Sequence, residues 1–213
     1  MQALCRLFFK ILDKRPAAGE QGRMYSTLEK VILLALSDRS FAAAEAPDGA
    51  LARAYAAAAA ADLSMGGMFS AFAGKVRLAK AGEPCGRAFE KSASAAARRA
   101  ALPDAARELE KIAPELERVC IGELLEKSAL APARQFVFFG REILKVADAR
   151  SCRKIRKSVF AAVSGREEPD FRVAALAWAL FRGGLEGIAL SRAHLRKFGA
   201  RVSEIAEGFA PPE

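Results

Sequence analysis

The stretch ALARAYAAAAAADLSM, which spans residues 50–65, decides the fold class of this 213-residue chain. Alanine is the strongest helix former and a poor strand former, so the stretch predicts an α-helix that ends at Gly66-Gly67. Because alanine side chains are short, neighbouring helices can approach such a helix closely. We therefore expect this helix to lie at the centre of a mainly α domain.

Helices are predicted on both sides of this central segment. Ser26-Thr-Leu-Glu29 is a capping-box pattern, and it begins a buried helix that includes Val31 to Leu36. Pro103-Asp104 opens a further helical segment, which Pro114 should divide in two and Ala131-Pro132 should end. The other predicted helices are 85–100, one that Pro169-Asp170 opens and that runs to about residue 182, and 191–207.

Two stretches change from a helical period to an alternating one. Met68 to Lys80 alternates polar and apolar residues around Ala73-Gly74, which predicts a β-hairpin. Gln135 to Phe139 and Glu142 to Val146, on either side of Gly140-Arg141, predict a second strand-rich element. The predicted fold is therefore mainly α, a compact multi-helix domain with one or two short β-hairpins.

The first 25 residues are predicted to precede this domain. Apolar residues recur at helical spacing over residues 2–14, which predicts a short amphipathic helix that could pack on a neighbour or lie on a membrane. Pro16, Gly19 and Gly22 predict a linker after it. Residues 26–213 are then expected to form a single helical domain.

The composition restricts the chemistry and the compartment. Cys5, Cys85, Cys120 and Cys152 have neither zinc-site nor disulfide spacing, and no apolar run is long enough to span a bilayer, so we expect a cytoplasmic protein. The chain has one histidine, His194, for which we expect an ordinary place on a helix surface, and no phosphate-binding glycine loop. We therefore predict no enzyme, no cofactor and no metal site.

Lysine and arginine outnumber aspartate and glutamate by 34 to 25, a formal net charge of +9. Such an excess favours anionic partners, either nucleic acid or an anionic membrane surface, although it could serve solubility alone. Single-stranded nucleic acid would require aromatic residues among the cations, but Phe136, Phe138 and Phe139 lie in an apolar run and are expected in the core. The sequence therefore favours a membrane partner over nucleic acid.

The densest cationic run is Arg150-Ser-Cys-Arg-Lys-Ile-Arg-Lys157. On a helix, Cys152, Ile155 and Val159 would face inward, whereas the cations would spread over the outward face with no acid among them. A phosphate-bearing ligand would relieve the repulsion within such a face, and a merely solvated basic face is the alternative. The candidate phosphate-binding residues of the run are Arg150, Arg153, Lys154, Arg156 and Lys157.

A second basic stretch, Arg192, Arg196, Lys197 and Arg201, lies on the last predicted helix. If the two stretches are adjacent in the fold, they form a patch large enough to bind a partner.

Five segments, taken in chain order, resemble the successive motifs of one protein family. They are TLEKVILLALSD (27–38), the alanine helix ending at residue 67, LLEKSAL (124–130), KIRKSVFAAV (154–163) and PDFRVAALAWAL (169–180). The third is similar to a motif L-V-E-K-G-[IVL]-L, and the last to P-D-x-R-x-x-A-L-x-x-L. In order and spacing they resemble the Golgi phosphoprotein three family, whose eukaryotic members are peripheral membrane adaptors that bind phosphatidylinositol 4-phosphate. The chain resembles a divergent, bacterial member of that family.

The resemblance implies a lipid-headgroup pocket on a basic face. In eukaryotic members the pocket uses a tryptophan before the second helix, an arginine within it, and two arginines on the helix before the L-V-E-K-like segment. The tryptophan position falls near Pro47 or Asp48 here, the first arginine near Ala56, and the paired arginines near Pro114 and Glu117. The nearest cations are Arg53 and Arg118. We add both to the candidate lipid-binding residues.

The expected function is that of a peripheral membrane-associated adaptor that binds anionic lipid headgroups, or another phosphate-bearing ligand, through a basic face. The alternative is a protein-interaction or scaffold module that self-associates as a homo-oligomer through Met68 to Lys80, as the resemblance implies for the family's hairpin.

Overall fold

The structure, a computed structural model, describes residues 25–38, 47–65, 69–72, 75–78, 102–135 and 141–209. Within these ranges it contains seven α-helices, one 3-10 helix and two antiparallel β-hairpins, which confirms the predicted fold class. In chain order the elements are α1 (Thr27–Ser37), α2 (Ala50–Met65), β1 (Phe69–Phe72), β2 (Lys75–Leu78), α3 (Leu102–Lys111), α4 (Ala113–Glu126), β3 (Leu130–Gln135), β4 (Arg141–Val146), α5 (Ala149–Val163), α6 (Phe171–Gly183), the 3-10 helix Glu186–Ile188 and α7 (Arg192–Phe209).

Helix α2 is the central helix, as its alanine content predicts. It packs against α1, α3, α4 and α6, and its residues 54–59 are buried. Helix α6 approaches α2 closely at Gly183, where an added Cβ would lie 2.8 Å from the Ala50 carbonyl oxygen and 2.8 Å from the Ala54 Cβ. Two small residues on facing helices therefore bring these backbones together.

Helix α1 begins with the predicted capping box. The Ser26 Oγ accepts the Glu29 N–H at 3.1 Å, and the Glu29 carboxylate accepts the Ser26 N–H at 2.8 Å. A further cap comes from α2, because the buried Asp62 carboxylate accepts the N–H groups of Thr27 and Leu28 at 2.9 and 3.0 Å. Since Asp62 lies near the end of α2, the start of α1 is held at that end of the central helix.

The first hairpin is confirmed, with Phe69 paired to Leu78 and Phe72 to Lys75. The second begins earlier than predicted, because β3 pairs Leu130 with Val146. The prediction that Ala131-Pro132 ends a helix is wrong.

Helix α4 ends at Glu126, and Ser128, at φ 53°, turns the chain into β3, which contains Pro132. A two-stranded sheet tolerates proline because each strand is an edge strand.

Proline and aspartate mark the other helix boundaries as expected. Pro114 lies in the first turn of α4, where a missing N–H is tolerated, and α3 ends at Lys111 just before it. Asp170 caps α6 by accepting the Val173 N–H at 2.7 Å, and Gly184, at φ 69°, ends that helix.

Several predictions lie outside the described residues. They are the helix at 2–14, the linker up to residue 24, the helix at 85–100, Cys5, Cys85, the glycines at 66–67 and the phenylalanines at 136, 138 and 139. Within the described part, Tyr25 is buried, and its hydroxyl donates to the Asp148 carboxylate at 2.9 Å.

Candidate anion-binding surface

Helix α5 carries the predicted cationic run, and its two faces separate as expected. Cys152, Ile155, Val159 and Ala162 are buried against the core. The opposite face exposes four cations, Arg150, Arg153, Lys154 and Lys157.

The start of α5 is anchored by Asp148. Its carboxylate accepts the Ser151 N–H at 2.9 Å as the helix N-cap and also accepts the Tyr25 hydroxyl at 2.9 Å. This fixes the direction in which α5 leaves β4. The cationic face therefore has a defined position on the domain.

The exposed cations of α5 are neighbours of one another. Arg150 precedes Arg153 by three residues and Lys154 by four, and Lys157 follows them by four and three. These four like-charge pairs cost about 1–2 kcal/mol together. Within the described residues, none of the four side chains forms an ion pair. The repulsion is therefore not offset there by a direct acidic contact.

Arg156 does not belong to this exposed face, which corrects the sequence-based assignment. It is half-buried, its Nε donates to the Ile188 carbonyl at 3.0 Å, and an Nη donates to the Ser37 Oγ at 2.8 Å. The guanidinium thus ties α5 to the end of α1 and to the 3-10 helix. Its donors serve the fold.

The second basic stretch is adjacent to α5. The Phe160 ring of α5 contacts two rings of α7, with centroid distances of 4.4 Å to His194 and 6.2 Å to Phe198. Two cations lie over this cluster, since the Arg166 guanidinium carbon is 5.3 Å from the Phe160 centroid and the Lys197 Nζ is 5.2 Å from the Phe198 centroid. The two basic stretches therefore border one half-buried aromatic cluster.

The charge on α7 is offset more than the charge on α5. Arg201 forms an ion pair with Glu204 at 2.7 Å, and the Glu168 carboxylate adds to the electrostatic stabilisation of that guanidinium. Arg192, Arg196 and Lys197 are exposed. The strongest uncompensated positive charge of this two-helix surface is consequently on α5.

Arg53 and Arg118 lie on other helices. Arg53, in the first turn of α2, donates from Nη1 to the Asp48 carbonyl at 2.8 Å and so holds the turn before that helix. Arg118 is exposed on α4, which packs against α2, whereas α5 packs against α1, α6 and α7. These two residues are therefore not on the helix that carries the exposed run.

The structure also contains a buried polar cluster that the sequence reasoning missed. The Glu29 carboxylate pairs with the Lys127 ammonium, and ligand atoms of Glu29, Cys120 and Glu123 lie within 4.8 Å of one another. Burial and the nearby carboxylates raise the pKa of the Cys120 thiol far above its usual range, so the thiol is protonated at neutral pH. Such a donor set could hold a metal ion, but the Lys127 ammonium already neutralises Glu29. In the sequence the capping box already accounts for Glu29, and Lys127 lies 98 positions away, so no local pattern indicated this pair.

A family model described as Golgi phosphoprotein 3 (GPP34) matches residues 28–213. The chain belongs to the Golgi phosphoprotein 3 family. No curated protein matches the chain. Where the family pattern quoted for residues 124–130 has glycine, this member of the Golgi phosphoprotein 3 family has Ser128 in the left-handed conformation.

No helix within the described ranges is long and apolar enough to span a bilayer.

Proposed function

We propose that this Golgi phosphoprotein 3 family member is a peripheral membrane adaptor that binds anionic lipid headgroups through the exposed cations of α5. The observation that supports the proposal most is the set Arg150, Arg153, Lys154 and Lys157. These side chains are exposed and adjacent, and they form no ion pair within the described residues, on a helix whose other face is in the core. An anionic surface would supply the missing counter-charge.

The magnitude of the expected attraction is sufficient for reversible binding. Each lysine or arginine close to an anionic bilayer contributes about 1 kcal/mol, so four contribute about 4 kcal/mol, or roughly a thousandfold. The run also occupies the N-terminal part of α5, where the helix dipole adds positive potential. Because exposed charges are screened by salt, the affinity should fall steeply with ionic strength.

The arrangement of the four side chains favours binding to a charged surface over binding to one defined headgroup. The four side chains are long, exposed and spread over about two turns, whereas a headgroup pocket needs fixed, convergent donors. Arg53 already uses a donor on the Asp48 carbonyl, and Arg118 is exposed on α4. We propose that Arg53 and Arg118 contribute secondarily, through general electrostatic attraction.

We propose an adaptor rather than an enzyme because the exposed group that carries the proposal, Arg150, Arg153, Lys154 and Lys157 of α5, consists of cations. Cations of this kind bind phosphates through guanidinium forks and ammonium charges.

Co-sedimentation with vesicles tests the proposal. The full chain should pellet with vesicles of phosphatidylcholine and phosphatidylglycerol, but not with phosphatidylcholine alone. R153E/K157E should abolish pelleting. K111E/R182E, which changes the net charge equally at exposed positions on α3 and α6, should reduce it only slightly. Equal pelleting with both vesicle types, or equal losses for both double variants, would overturn the proposal.

A second candidate function is self-association through the β1–β2 hairpin. The observation that favours it is that β1 and β2 form a two-stranded sheet, in which each strand has an outer edge that can add a further strand. Deleting residues 68–80 should then convert a homo-oligomer to a monomer in light scattering and leave vesicle binding by each chain unchanged. A monomeric full-length chain would contradict this second function.

A further inference from the structure

The aromatic cluster between α5 and α7 consists of Phe160, His194 and Phe198. The centroid of the Phe160 ring lies 4.4 Å from that of His194 and 6.2 Å from that of Phe198, and all three residues are half-buried. A fully buried cluster would serve only the contact between the two helices. Because each of these residues keeps some solvent exposure, the cluster also presents apolar area at the surface of the domain.

The exposed cations of α5 adjoin this aromatic cluster. Phe160 follows Arg153 by seven residues and Lys157 by three, so the three side chains form one stripe along the helix. Arg153 and Lys157 are both exposed, and each belongs to the set of cations on which the proposed membrane contact depends. The aromatic cluster therefore continues the cationic face of α5 towards α7.

Two further exposed cations lie over the rings themselves. The guanidinium carbon of Arg166 is 5.3 Å from the Phe160 centroid, and the Nζ of Lys197 is 5.2 Å from the Phe198 centroid. Both distances are within the range of a cation–π contact. Exposed cations from α5, from α7 and from the turn after α5 thus border one set of half-buried rings.

Two acidic side chains near this part of α7 act on a different cation. Glu204 forms an ion pair with Arg201 at 2.7 Å, and Glu168 adds to the electrostatic stabilisation of the same guanidinium. Arg201 lies one helical turn beyond Lys197. The charge bordering the rings is consequently positive, as an anionic partner requires.

We propose that the aromatic cluster enters the boundary between headgroups and acyl chains when the protein binds an anionic bilayer, so that α5 and α7 both contact the membrane. The inference rests on the proposed function. Lysine and arginine have apolar stems and charged ends, so Arg153, Lys157, Arg166 and Lys197 can reach lipid phosphates while the rings lie deeper. A lipid surface fits better than a protein partner, because the cores of protein interfaces are depleted of charged residues.

Insertion of the rings gives binding a second component with its own salt dependence. Salt screens the attraction of exposed cations to the bilayer, but it does not weaken the removal of apolar area from water. F198A should therefore weaken vesicle binding about fivefold at both low and high ionic strength. R153Q, which removes a charge from the same surface, should weaken binding at low ionic strength and have little effect at high ionic strength.

Tryptophan fluorescence tests the insertion directly, with phosphatidylcholine–phosphatidylglycerol vesicles whose acyl chains are brominated at the carbons nearest the headgroups. The only tryptophan of the wild-type chain, Trp178, is buried and should be little quenched. F198W should add a component that the bromines quench strongly. L125W is the matched control, because Leu125 is an exposed apolar residue on α4, a helix that packs against α1 and α2. Its tryptophan should stay unquenched.

Several results would contradict the inference. If F198W binds without quenching, if L125W is quenched equally, or if the loss in F198A disappears at high ionic strength, the rings do not insert, and the proposed function stands. If the wild-type chain does not bind these vesicles, both the inference and the proposed function are wrong. Far-UV circular dichroism checks the fold of each variant. Should F198A not fold, the quenching of F198W decides, because tryptophan keeps an aromatic ring at this position.

Discussion

The carboxylate of Glu29 and the ammonium of Lys127 form an ion pair between residues 98 positions apart in the sequence. Glu29 has no solvent exposure, and the Lys127 side chain is 34% exposed. The same carboxylate accepts the Ser26 N–H of the capping box. One buried acid thus stabilises the start of α1 and joins that start to the end of α4.

Removing the cation of this pair should destabilise the fold. K127M leaves a buried carboxylate without its counter-charge and should lower the free energy of unfolding by about 3 kcal/mol, measured by urea denaturation. K127R keeps the charge and should lose much less. The double variant E29Q/K127M should be more stable than K127M, because glutamine can still accept the Ser26 N–H and carries no charge. Wild-type stability of K127M would contradict a stabilising role for the pair.

Arg153 and Arg156, three residues apart on α5, should give opposite results. R156Q removes donors to the Ile188 carbonyl and the Ser37 hydroxyl, so it should lower the free energy of unfolding by about 2 kcal/mol. R153Q removes an exposed charge and should leave stability within about 0.5 kcal/mol, but weaken vesicle binding about fivefold. Denaturation and co-sedimentation of both variants check this, and equal effects of the two variants in both assays would refute the distinction.

Replacing Ser128 with glycine should stabilise the folded chain. A side chain at φ 53° costs about 1–2 kcal/mol, which is partly offset because glycine makes the unfolded chain more flexible. S128G should therefore raise the free energy of unfolding by about 0.5–1 kcal/mol. S164G, at a residue with φ −78°, is the matched control and should be destabilising. A shift of the same sign in both variants would show that the left-handed backbone is not the cause.

Two helical glycines should respond oppositely to alanine. G183A places a Cβ 2.8 Å from the Ala50 carbonyl oxygen, so α2 and α6 must move apart, at a cost of about 1–3 kcal/mol. The Cβ of G122A meets no atom within 4 Å, so that variant should gain about 0.5–1 kcal/mol from helix propensity. Thermal unfolding of both variants measures their stabilities relative to the wild type. If G183A is as stable as the wild type, α2 and α6 can separate without cost and the prediction is wrong.

Glu186 should make stability depend on pH. Burial raises the pKa of its carboxyl in the folded state, so the folded chain holds this proton more tightly than the unfolded chain. The contribution of the group to stability is therefore full below its unfolded pKa and is lost as the pH rises through the folded value. E186Q should match the wild type at low pH and become relatively more stable towards neutral pH. Denaturation across this range tests the sign.

Local patterns predicted most of the fold because their causes are local. The capping box at Ser26, the alanine content of α2 and the aspartate cap at Asp170 each act within one turn of a helix. The strand that contains Pro132 could not be predicted in this way. Its pairing with Leu144 comes from a partner strand, and the turn before it uses a serine in a conformation that serine seldom adopts.

The candidate site was likewise predicted only in part. The helical period correctly separated Cys152 and Ile155 from the exposed cations. It assigned Arg156 to the exposed face because the residues that bind its guanidinium are 32 and 119 positions away.

By itself, the sequence determined the fold class, the central helix, the polarity of α5 and the excess of positive charge. These follow from side-chain size, helical period and composition. Only the tertiary structure decided that Glu29 meets Lys127, that Arg156 serves the fold, and that His194 contacts Phe160 between the two basic helices. Each of these contacts joins distant segments, and the packing of whole helices sets the distance between them.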